Sequence, residues 1–280
     1  MGMTRLKEED ICSVGHGLAM YNLELVMKTG HTLAEIAAHA VGLSPNPKEE
    51  LVPKQIAVIP MTCGLGVIGG FSQTVADILT FLGMNAFVTQ GTDVEGMAEA
   101  LERKAEILFM ADDHRFIALH LKSGFYSDNS IATGKGYAAA LDYMAHGLKG
   151  KPVLIIGAGN VGAAAARAVL AFEGLVHVYD KCPQASQALA DSLAKELGVE
   201  IVIEEDLQSA LKEHSLIMDC CPESEFIKTE HLTAESHISA PGVPLGVESQ
   251  AISQVQARLI HDPLQLGVAT MLMDILKQCS

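Results

Sequence analysis

Residues 152–180 read PVLIIGAGNVGAAAARAVLAFEGLVHVYD, and this stretch decides the fold. An apolar run over residues 153–156 leads directly into three closely spaced glycines, Gly157, Gly159 and Gly162. An alanine-rich segment follows, and then a second apolar run that ends at Asp180. A GxGxxG pattern between a predicted strand and a predicted helix is typical of the β-α-β unit that binds dinucleotides. The stretch therefore predicts a Rossmann fold.

Each glycine of this loop has its own physical role. Gly157 permits the tight turn, Gly159 lets the backbone approach a pyrophosphate, and Gly162 lets the helix pack close to its strand. The anion then meets the positive end of the helix dipole and its unpaired N–H groups. The predicted cofactor loop comprises Gly157, Ala158, Gly159, Asn160, Val161 and Gly162.

Asp180 lies 18 residues after Gly162, at the end of the second predicted strand. A carboxylate at this position accepts hydrogen bonds from the ribose hydroxyls of the adenosine and repels a 2′-phosphate. The cofactor is therefore predicted to be NAD rather than NADP. FAD stays open as an alternative, although nothing in the sequence suggests the additional segments of an FAD protein.

Two later loops leave the carboxyl ends of predicted strands in the same sheet, where ligands of open α/β sheets bind. We assign the loop at residues 219–222 to a ribose edge of the cofactor and the loop at residues 239–244 to the nicotinamide side. The candidate contacts in these loops are Cys221, Pro222, Pro241 and Gly242. Because proline and glycine are also ordinary turn residues, turn formation alone is the alternative.

The preceding part of the chain predicts a different domain. Apolar residues recur at helical spacing over residues 8–41, and short apolar runs then alternate with helices predicted over residues 74–82 and 94–105. This alternation predicts a parallel sheet. A helix over residues 133–148, with Asn129 or Ser130 as its cap, connects to the Rossmann domain.

The fold class is thus α/β, with a C-terminal Rossmann dinucleotide-binding domain and an N-terminal helical and α/β substrate domain. The expected bounds are residues 1–150 for the substrate domain and residues 151–245 for the Rossmann domain. Residues 246–280 form a final segment whose amphipathic helix, over residues 263–279, is expected to pack back on the first domain.

Composition restricts the possible partners. The chain has 280 residues and a net charge of −15, and it has no dense run of Lys or Arg, so nucleic acid is not expected as a partner. Its apolar runs are far shorter than the roughly 20 residues of a membrane span, and its acidic, polar start does not resemble a secretion signal. The six cysteines include no CxxC pair, and no metal site is predicted. These features predict a soluble cytoplasmic protein.

The substrate domain contains two polar segments of interest. Asp112, Asp113, His114 and Arg115 are consecutive, and paired carboxylates suit a cationic amine that must leave water. The alternative is that the acids are partners for Arg115. Cys63 lies in a glycine-rich loop, although no base for a nucleophilic thiol is identifiable.

Segments along most of the chain resemble the pyrrolysine synthase family. The similar segments are VIPMTCGLGVIGGFSQTVADIL (58–79), AFVTQGTDVEGM (86–97), ILFMADDHRFIALHL (107–121), DNSIATGKGYAAAL (128–141), VLIIGAGNVG (153–162) and HDPLQLGVATML (261–272). The resemblance runs from about Ile56 to Met273 and is weak in the first fifty residues. The segment ADDHRFIA is more specific than the glycine loop.

This resemblance implies an NAD-dependent oxidation of the terminal amine carbon of 3-methylornithyl-lysine, loss of ammonia, and closure of the pyrroline ring of pyrrolysine. It also implies a dipeptide-like amine as substrate, a homodimer, and substrate contacts at Thr62 and Asp112. An amine carbon gives up hydride readily when its nitrogen is deprotonated. Asp112 or Asp113 is therefore expected to anchor the ammonium or to help remove its proton, with His114 as a further catalytic candidate and with Thr62, Cys63 and Arg115 as substrate contacts.

Two other functions stay open from the sequence. A two-domain dehydrogenase of the methylene-tetrahydrofolate or shikimate type would share this layout, but such enzymes rely on a lysine that neither polar segment contains. An NAD(H)-sensing binding protein would bind the cofactor without turnover.

Overall fold

The computed structural model describes residues 6–11, 14–43 and 52–279. The chain divides into two compact units. Unit 1 takes its residues from Met1–Glu24, Thr32–Ala132 and Pro263–Ser280, and unit 2 consists of Leu25–His31 and Thr133–Asp262. Residues 133–150 and 246–262 thus fall in unit 2 together with the predicted Rossmann stretch.

Unit 1 is built on a five-stranded sheet flanked by helices. Its strands are β1 (Gln55–Ile59), β2 (Asn85–Val88), β3 (Ile107–Ala111), β4 (Phe116–His120) and β5 (Tyr126–Asp128). Its helices are α1 (Glu8–Ile11), most of α2 (Val14–Thr29), α3 (Leu33–Val41), α4 (Phe71–Phe81), α5 (Asp93–Glu102) and α11 (Gln265–Cys279). The helical spacing seen over residues 8–41 thus corresponds to three helices, with Gly30 between α2 and α3 as the break that the sequence indicates, and residues 12 and 13 lie outside the described part.

The sheet of unit 1 has the order β2-β1-β3-β4-β5 and is mixed rather than parallel. Strand β1 pairs in parallel with β2 and β3, whereas β4 is antiparallel to both β3 and β5. Only residues 112–115 separate β3 from β4. The parallel pairing predicted from the strand-helix alternation is confirmed for β1, β2 and β3. Because a parallel crossover needs a dozen or more residues, the short loop before β4 enforces a hairpin, so the parallel pairing does not extend to β4 and β5.

The last helix, α11, completes the core of unit 1. It packs on α3 and α4 and on strands β4 and β5. Its apolar face, including Leu266, Met271 and Leu272, is fully buried. The α3 helix that it contacts is fixed at its start by a capping box between Thr32 and Glu35, which satisfies N–H groups that a helix start leaves unpaired.

Unit 2 contains a six-stranded sheet whose strands are all parallel. The strands are β6 (Pro152–Ile156), β7 (Leu175–Tyr179), β8 (Val202–Ile203), β9 (Leu216–Asp219), β10 (His237–Ala240) and β11 (Leu259–His261). The helices are α6 (Asn129–Met144, in unit 2 from Thr133), α7 (Asn160–Ala171), α8 (Pro183–Leu197), α9 (Leu207–Glu213) and α10 (Ile252–Val255), with short 3-10 turns at Thr229–His231 and Gln256–Arg258.

The strand order of this sheet, β11-β10-β9-β6-β7-β8, is that of the Rossmann fold, with β6 as the first strand of the unit. Residues Val153 to Ile156 are buried, as expected of a central parallel strand covered on both faces. The Rossmann prediction is therefore confirmed. Strand β11 was not predicted from the sequence.

The helix that follows β5 begins earlier than predicted. It starts at Asn129 rather than near residue 133. The Asp128 carboxylate accepts a hydrogen bond from the Ser130 N–H (2.9 Å), so Asp128 takes the capping role assigned to Asn129 or Ser130. Within the described ranges, no helix combines the length and apolar composition needed to cross a membrane.

Candidate functional site

The glycine loop of unit 2 has the geometry that a dinucleotide requires. Gly157 has a φ of +100°, and its N–H donates to the Tyr179 carbonyl (2.8 Å). A Cβ atom on Gly162 would lie 1.8 Å from the Gly157 carbonyl oxygen, so only glycine fits there. A Cβ atom on Gly159 would meet nothing within 4 Å, which leaves open space at the position where a pyrophosphate approaches the backbone.

The rest of the predicted loop lies beside this space. Ala158 is partly exposed, Asn160 is the exposed first residue of α7, and Val161 follows it in the first turn. The N–H groups of the first turn of a helix have no partner within the helix and attract anions. The chain's own residues at 157–162 therefore fit the pyrophosphate of a dinucleotide.

Asp180, at the end of β7, accepts a hydrogen bond from the glycine loop and one from the residues that follow β7. Its Oδ2 accepts from the Ala158 N–H (2.8 Å), and its Oδ1 accepts from the Cys182 N–H (2.8 Å). The neighbouring cation, Lys181, forms an ion pair with Glu223. The carboxyl end of β7 thus presents a negative charge, and the adjacent positive charge is already engaged.

The two later loops meet the glycine loop at the carboxyl edge of the sheet, because β9 and β10 lie next to β6. A Cβ atom on Gly157 would lie 3.0 Å from the Cys220 carbonyl oxygen, and one on Gly242 would lie 2.3 Å from that of Cys221. The structure therefore brings Gly157, Cys221 and Gly242 together. Pro222 and Pro241 are their immediate chain neighbours in the same loops.

Asp219, the first residue of the predicted loop at residues 219–222, anchors both loops, and this anchoring role was not predicted from the sequence. It is fully buried at the end of β9. Its Oδ2 accepts from the Gly246 N–H (2.9 Å), and its Oδ1 accepts from the N–H and the thiol of Cys221 (both 3.3 Å). Burial raises the pKa of Asp219 to about 6. Burial and the Asp219 carboxylate also raise the pKa of Cys221, so this cysteine is a thiol at neutral pH and serves as packing and hydrogen-bond donor.

The acidic turn of unit 1, residues 112–115, is the loop of the β3-β4 hairpin. The Asp112 N–H donates to the Arg115 carbonyl (2.8 Å). The Asp112 Oδ1 accepts from the N–H groups of Arg115 and His114 (2.7 Å each), and these backbone hydrogen bonds, led by that from Arg115, hold the pKa of Asp112 below its usual range. Among the residues that the structure describes, Oδ2 of Asp112 has no hydrogen-bond donor, and the residue is exposed.

The second acid of the turn, Asp113, connects the turn to the glycine-rich loop that contains Cys63. The Asp113 Oδ2 accepts from the Leu65 N–H (2.6 Å). The preceding residue, Gly64, has a φ of +67°, and a Cβ atom on it would lie 1.8 Å from the same Oδ2. The glycine-rich loop and the acidic turn are therefore one assembly, which requires glycine at position 64.

Thr62 is held by a residue that sequence analysis did not identify. Its N–H donates to Oδ1 of Asp93 (2.9 Å) and its hydroxyl to Oδ2 of the same carboxylate (2.5 Å). These hydrogen bonds, the side-chain one first, lower the pKa of Asp93. Since both donors of Thr62 are used, only a lone pair of its hydroxyl is left for a substrate. The signal in the sequence was weak, because an acid in the first turn of a helix is common.

The other predicted substrate residues lie on the surface of this assembly. Cys63 and His114 are exposed. The Arg115 guanidinium is within 3.4 Å of the Tyr126 hydroxyl. In the described chain, Arg115 forms no ion pair within 4 Å with Asp112, although the charges of the two side chains still attract each other.

The parallel sheet, its glycine loop and the acid at the end of β7 define a dehydrogenase that uses a nicotinamide dinucleotide. Two family models match the chain. Residues 11–127 match "Pyrrolysine biosynthesis protein PylD, N-terminal domain", and residues 116–240 match "D-isomer specific 2-hydroxyacid dehydrogenase, NAD binding domain".

Comparison with known proteins gives the family. The chain is 33% identical over 224 residues to pyrrolysine synthase of Methanosarcina barkeri, which covers 80% of this chain and 81% of that protein. It is 30% identical over 275 residues to pyrrolysine synthase of Methanosarcina acetivorans, which covers 98% of this chain and 100% of that protein. The chain belongs to the pyrrolysine synthase family, and the family resemblance seen in the sequence is confirmed.

A solved structure supports the fold. Quinate dehydrogenase from Corynebacterium glutamicum, in complex with NAD, has a TM-score of 0.55 and 14% sequence identity, with 79% of this chain and 93% of that chain covered. At this identity the similarity concerns the fold alone.

Proposed function

We propose that the protein oxidises the terminal amine carbon of 3-methylornithyl-lysine with NAD and thereby forms the pyrroline ring of pyrrolysine. Membership in the pyrrolysine synthase family over nearly the full chain supports this substrate. The proposal assigns the dinucleotide to the glycine loop of unit 2 and the amine substrate to the acidic turn of unit 1.

The proposed reaction is an oxidation of the amine, followed by hydrolysis of the imine and closure of the ring. The terminal CH₂–NH₂ group loses a hydride and a proton and becomes an imine, and bound NAD supplies the hydride acceptor. Water adds to the imine and ammonia leaves, which gives an aldehyde. The neighbouring α-amine attacks this aldehyde, and water leaves as the C=N bond of the ring forms. The substrate therefore loses one ammonia and two hydrogen atoms overall.

The free carboxylate oxygen of Asp112 is the observation that carries this proposal. Its two backbone hydrogen bonds fall on Oδ1 and lower its pKa, so the group is ionised at neutral pH. Oδ2 then has lone pairs that can accept hydrogen bonds from a substrate ammonium, which the charge of the carboxylate attracts. A carboxylate with a lowered pKa is a weak base, so Asp112 is better suited to anchor the ammonium than to take its proton.

The remaining candidates of the turn have different parts in the proposal. Asp113 is a positioning residue, since its carboxylate holds the loop at Leu65. His114, which is exposed beside the two acids, is the proposed proton acceptor, because a neutral imidazole has a ring nitrogen with a free lone pair. We propose Thr62, Cys63 and Arg115 as further substrate contacts. The homodimer is also a prediction.

The preference for NAD over NADP rests on Asp180. Its carboxylate is fixed at the end of β7 by Ala158 and Cys182, and Lys181 is paired with Glu223. A 2′-phosphate would therefore meet a negative charge without a free cation beside it.

The test is turnover of synthetic 3-methylornithyl-lysine by the purified protein with NAD or NADP. We expect the absorbance of reduced nicotinamide to grow with NAD, and mass spectrometry to show a product lighter by one ammonia and two hydrogens. Binding of NAD in calorimetry without any turnover of this substrate would refute the proposed substrate and leave the cofactor assignment intact.

A further inference from the structure

A cluster of three possible metal ligands lies in unit 2, away from the glycine loop along the sheet edge. His177 is on β7, Glu204 directly follows β8, and His214 directly follows α9. One ring nitrogen of each histidine and one carboxylate oxygen of Glu204 all lie within 4.8 Å of one another. The fold thus brings two imidazoles and a carboxylate together from three segments of the chain.

The hydrogen bonds of His214 determine which of its nitrogens faces the cluster. Its Nδ1 lies 2.9 Å from the Ala210 carbonyl, which accepts only from a protonated nitrogen. In the neutral ring, Nε2 then carries the lone pair, and it lies 3.6 Å from Oε1 of Glu204. A histidine that donates its other nitrogen to a backbone carbonyl is the usual arrangement of a metal ligand.

This arrangement puts two electron-rich atoms face to face. The lone pair of a neutral His214 at Nε2 and the carboxylate oxygen of Glu204 repel each other unless a proton or a metal ion lies between them. The His214 side chain is only 5% exposed and that of Glu204 only 18%, so water screens the repulsion poorly. Nδ1 of His177 forms a hydrogen bond of 2.7 Å with the same Oε1, so a metal ion bound there would displace the proton that the two atoms share.

We propose that His177, Glu204 and His214 form a Zn²⁺ site. Two histidines and a glutamate are a known ligand set for zinc, with bonds of about 2.0–2.2 Å and a tetrahedral geometry. Such bonds separate neighbouring donor atoms by roughly 3.3 Å. The two distances to Oε1 of Glu204, 2.7 Å and 3.6 Å, lie on either side of this value, so modest side-chain movements would admit the ion.

The proposed ion would link three elements at the edge of the sheet. Strand β8 has only two residues, and the Glu204 N–H donates to the Val178 carbonyl of β7. A metal bound by Glu204 and His177 would reinforce this pairing, and His214 would tie the end of α9 to it. Three protein ligands leave the fourth position of the ion to a water molecule, and no step of the proposed dehydrogenation uses the ion.

The experiment is calorimetric titration of ZnCl₂ into the full-length protein after treatment with a chelator. We expect one ion per chain and a rise in melting temperature of about 5 °C when Zn²⁺ is at about 100 times its Kd. Co²⁺ serves as a spectroscopic probe, since a tetrahedral site with nitrogen and oxygen ligands gives it a distinct visible absorption.

Two variants test the ligands and one serves as a control. His214→Ala and Glu204→Gln should weaken Zn²⁺ binding by more than about 100-fold, which exceeds the usual effect of an outer-shell partner. Glu204→Gln keeps an oxygen that accepts from His177, so it is the variant less prone to unfold. His237→Gln removes a strand histidine of the same unit that bonds a backbone carbonyl, and it should bind Zn²⁺ as the wild type does.

Absence of Zn²⁺ binding to the wild-type protein would overturn the proposal. So would equal binding by Glu204→Gln and the wild type, because zinc would then be held elsewhere, for example at the exposed thiols of Cys63 and Cys182. A stabilisation on acidification that Zn²⁺ does not reproduce would instead assign the cluster to a protonated histidine paired with Glu204, which also overturns it.

Discussion

The carboxylate of Asp113 accepts a hydrogen bond from the backbone N–H of Leu65, with an N–O distance of 2.6 Å. This contact joins residues 48 positions apart and fixes the glycine-rich loop against the acidic turn. The position of the Asp112 carboxylate in the same turn therefore depends on the conformation of that loop.

Replacement of Gly64 by alanine should separate the loop from the turn. The new Cβ atom would lie 1.8 Å from Oδ2 of Asp113, and Gly64 also has a φ of +67°. We expect a loss in kcat/KM of about 10-fold or more, since catalytic groups displaced by about 1 Å lose much of their effect. Steady-state kinetics with the lysine-linked substrate measures this.

Gly66→Ala is the matched control for this loop. Gly66 has a φ of +81°, but a Cβ atom there meets nothing within 4 Å. Both variants should lose about 1 kcal/mol of unfolding free energy from backbone strain, whereas only Gly64→Ala should lose activity. Equal losses of activity in the two variants would contradict a role of the Leu65–Asp113 contact.

Substitution of Asp112 by asparagine should weaken substrate binding without disrupting the turn. The asparagine oxygen can still accept from the N–H groups of His114 and Arg115, so the hairpin is retained, but the charge that faces the ammonium is lost. A hydrogen bond to a charged group contributes about 1.5–3 kcal/mol, which corresponds to a rise in KM of about 10- to 100-fold. Steady-state kinetics at low and high salt tests this, with a retained cooperative unfolding transition as the control, since loss of the charge-assisted backbone hydrogen bonds lowers the melting temperature slightly. An unaltered KM would exclude Asp112 as the anchor.

Asp180→Ser should relax the discrimination against NADP. The charge that repels a 2′-phosphate is removed, and the shorter serine side chain leaves room for it, although the hydrogen bond from the Ala158 N–H is lost. We expect the ratio of kcat/KM for NAD to that for NADP to fall by about 10-fold or more. Asp191→Ser, which removes an exposed acid from α8, should leave the ratio unchanged. A ratio that moves equally in both variants would indicate a general charge effect.

The features predicted correctly from the sequence are those that local residues determine. The strand, glycine loop and helix over residues 153–171 are encoded within one short stretch, and the strand at residues 116–120 is encoded by its apolar run. Its antiparallel direction, however, depends on the length of the loop before it. A buried charge such as Asp219 has no local signal, because its partner Gly246 is 27 residues away.

The candidate sites show the same limit. Asp112 and Asp113 were recognisable as adjacent acids, but which of them keeps a free oxygen depends on backbone N–H groups at Arg115 and Leu65 that only the fold positions. His177, Glu204 and His214 have no motif spacing, since they meet only after three elements of the sheet edge have assembled.

The buried carboxyl of Asp219 should make stability depend on pH. Burial raises its pKa from 3.8 to about 6, so the folded state keeps a proton that the unfolded chain loses first. The stabilisation is complete below pH 4 and is lost as the pH rises through 6. The loss amounts to about 3 kcal/mol, at 1.36 kcal/mol for each pKa unit.

This prediction is tested by urea unfolding of the wild-type protein and of the Asp219→Asn variant between pH 4 and 7. The other carboxyls titrate in both proteins, so the difference between the two unfolding free energies reports on Asp219 alone. The asparagine does not titrate, so the unfolding free energy of the wild type minus that of the variant should fall by about 3 kcal/mol as the pH rises. A difference that is constant with pH would mean that the Gly246 and Cys221 hydrogen bonds stabilise the carboxylate enough to cancel the effect of its burial.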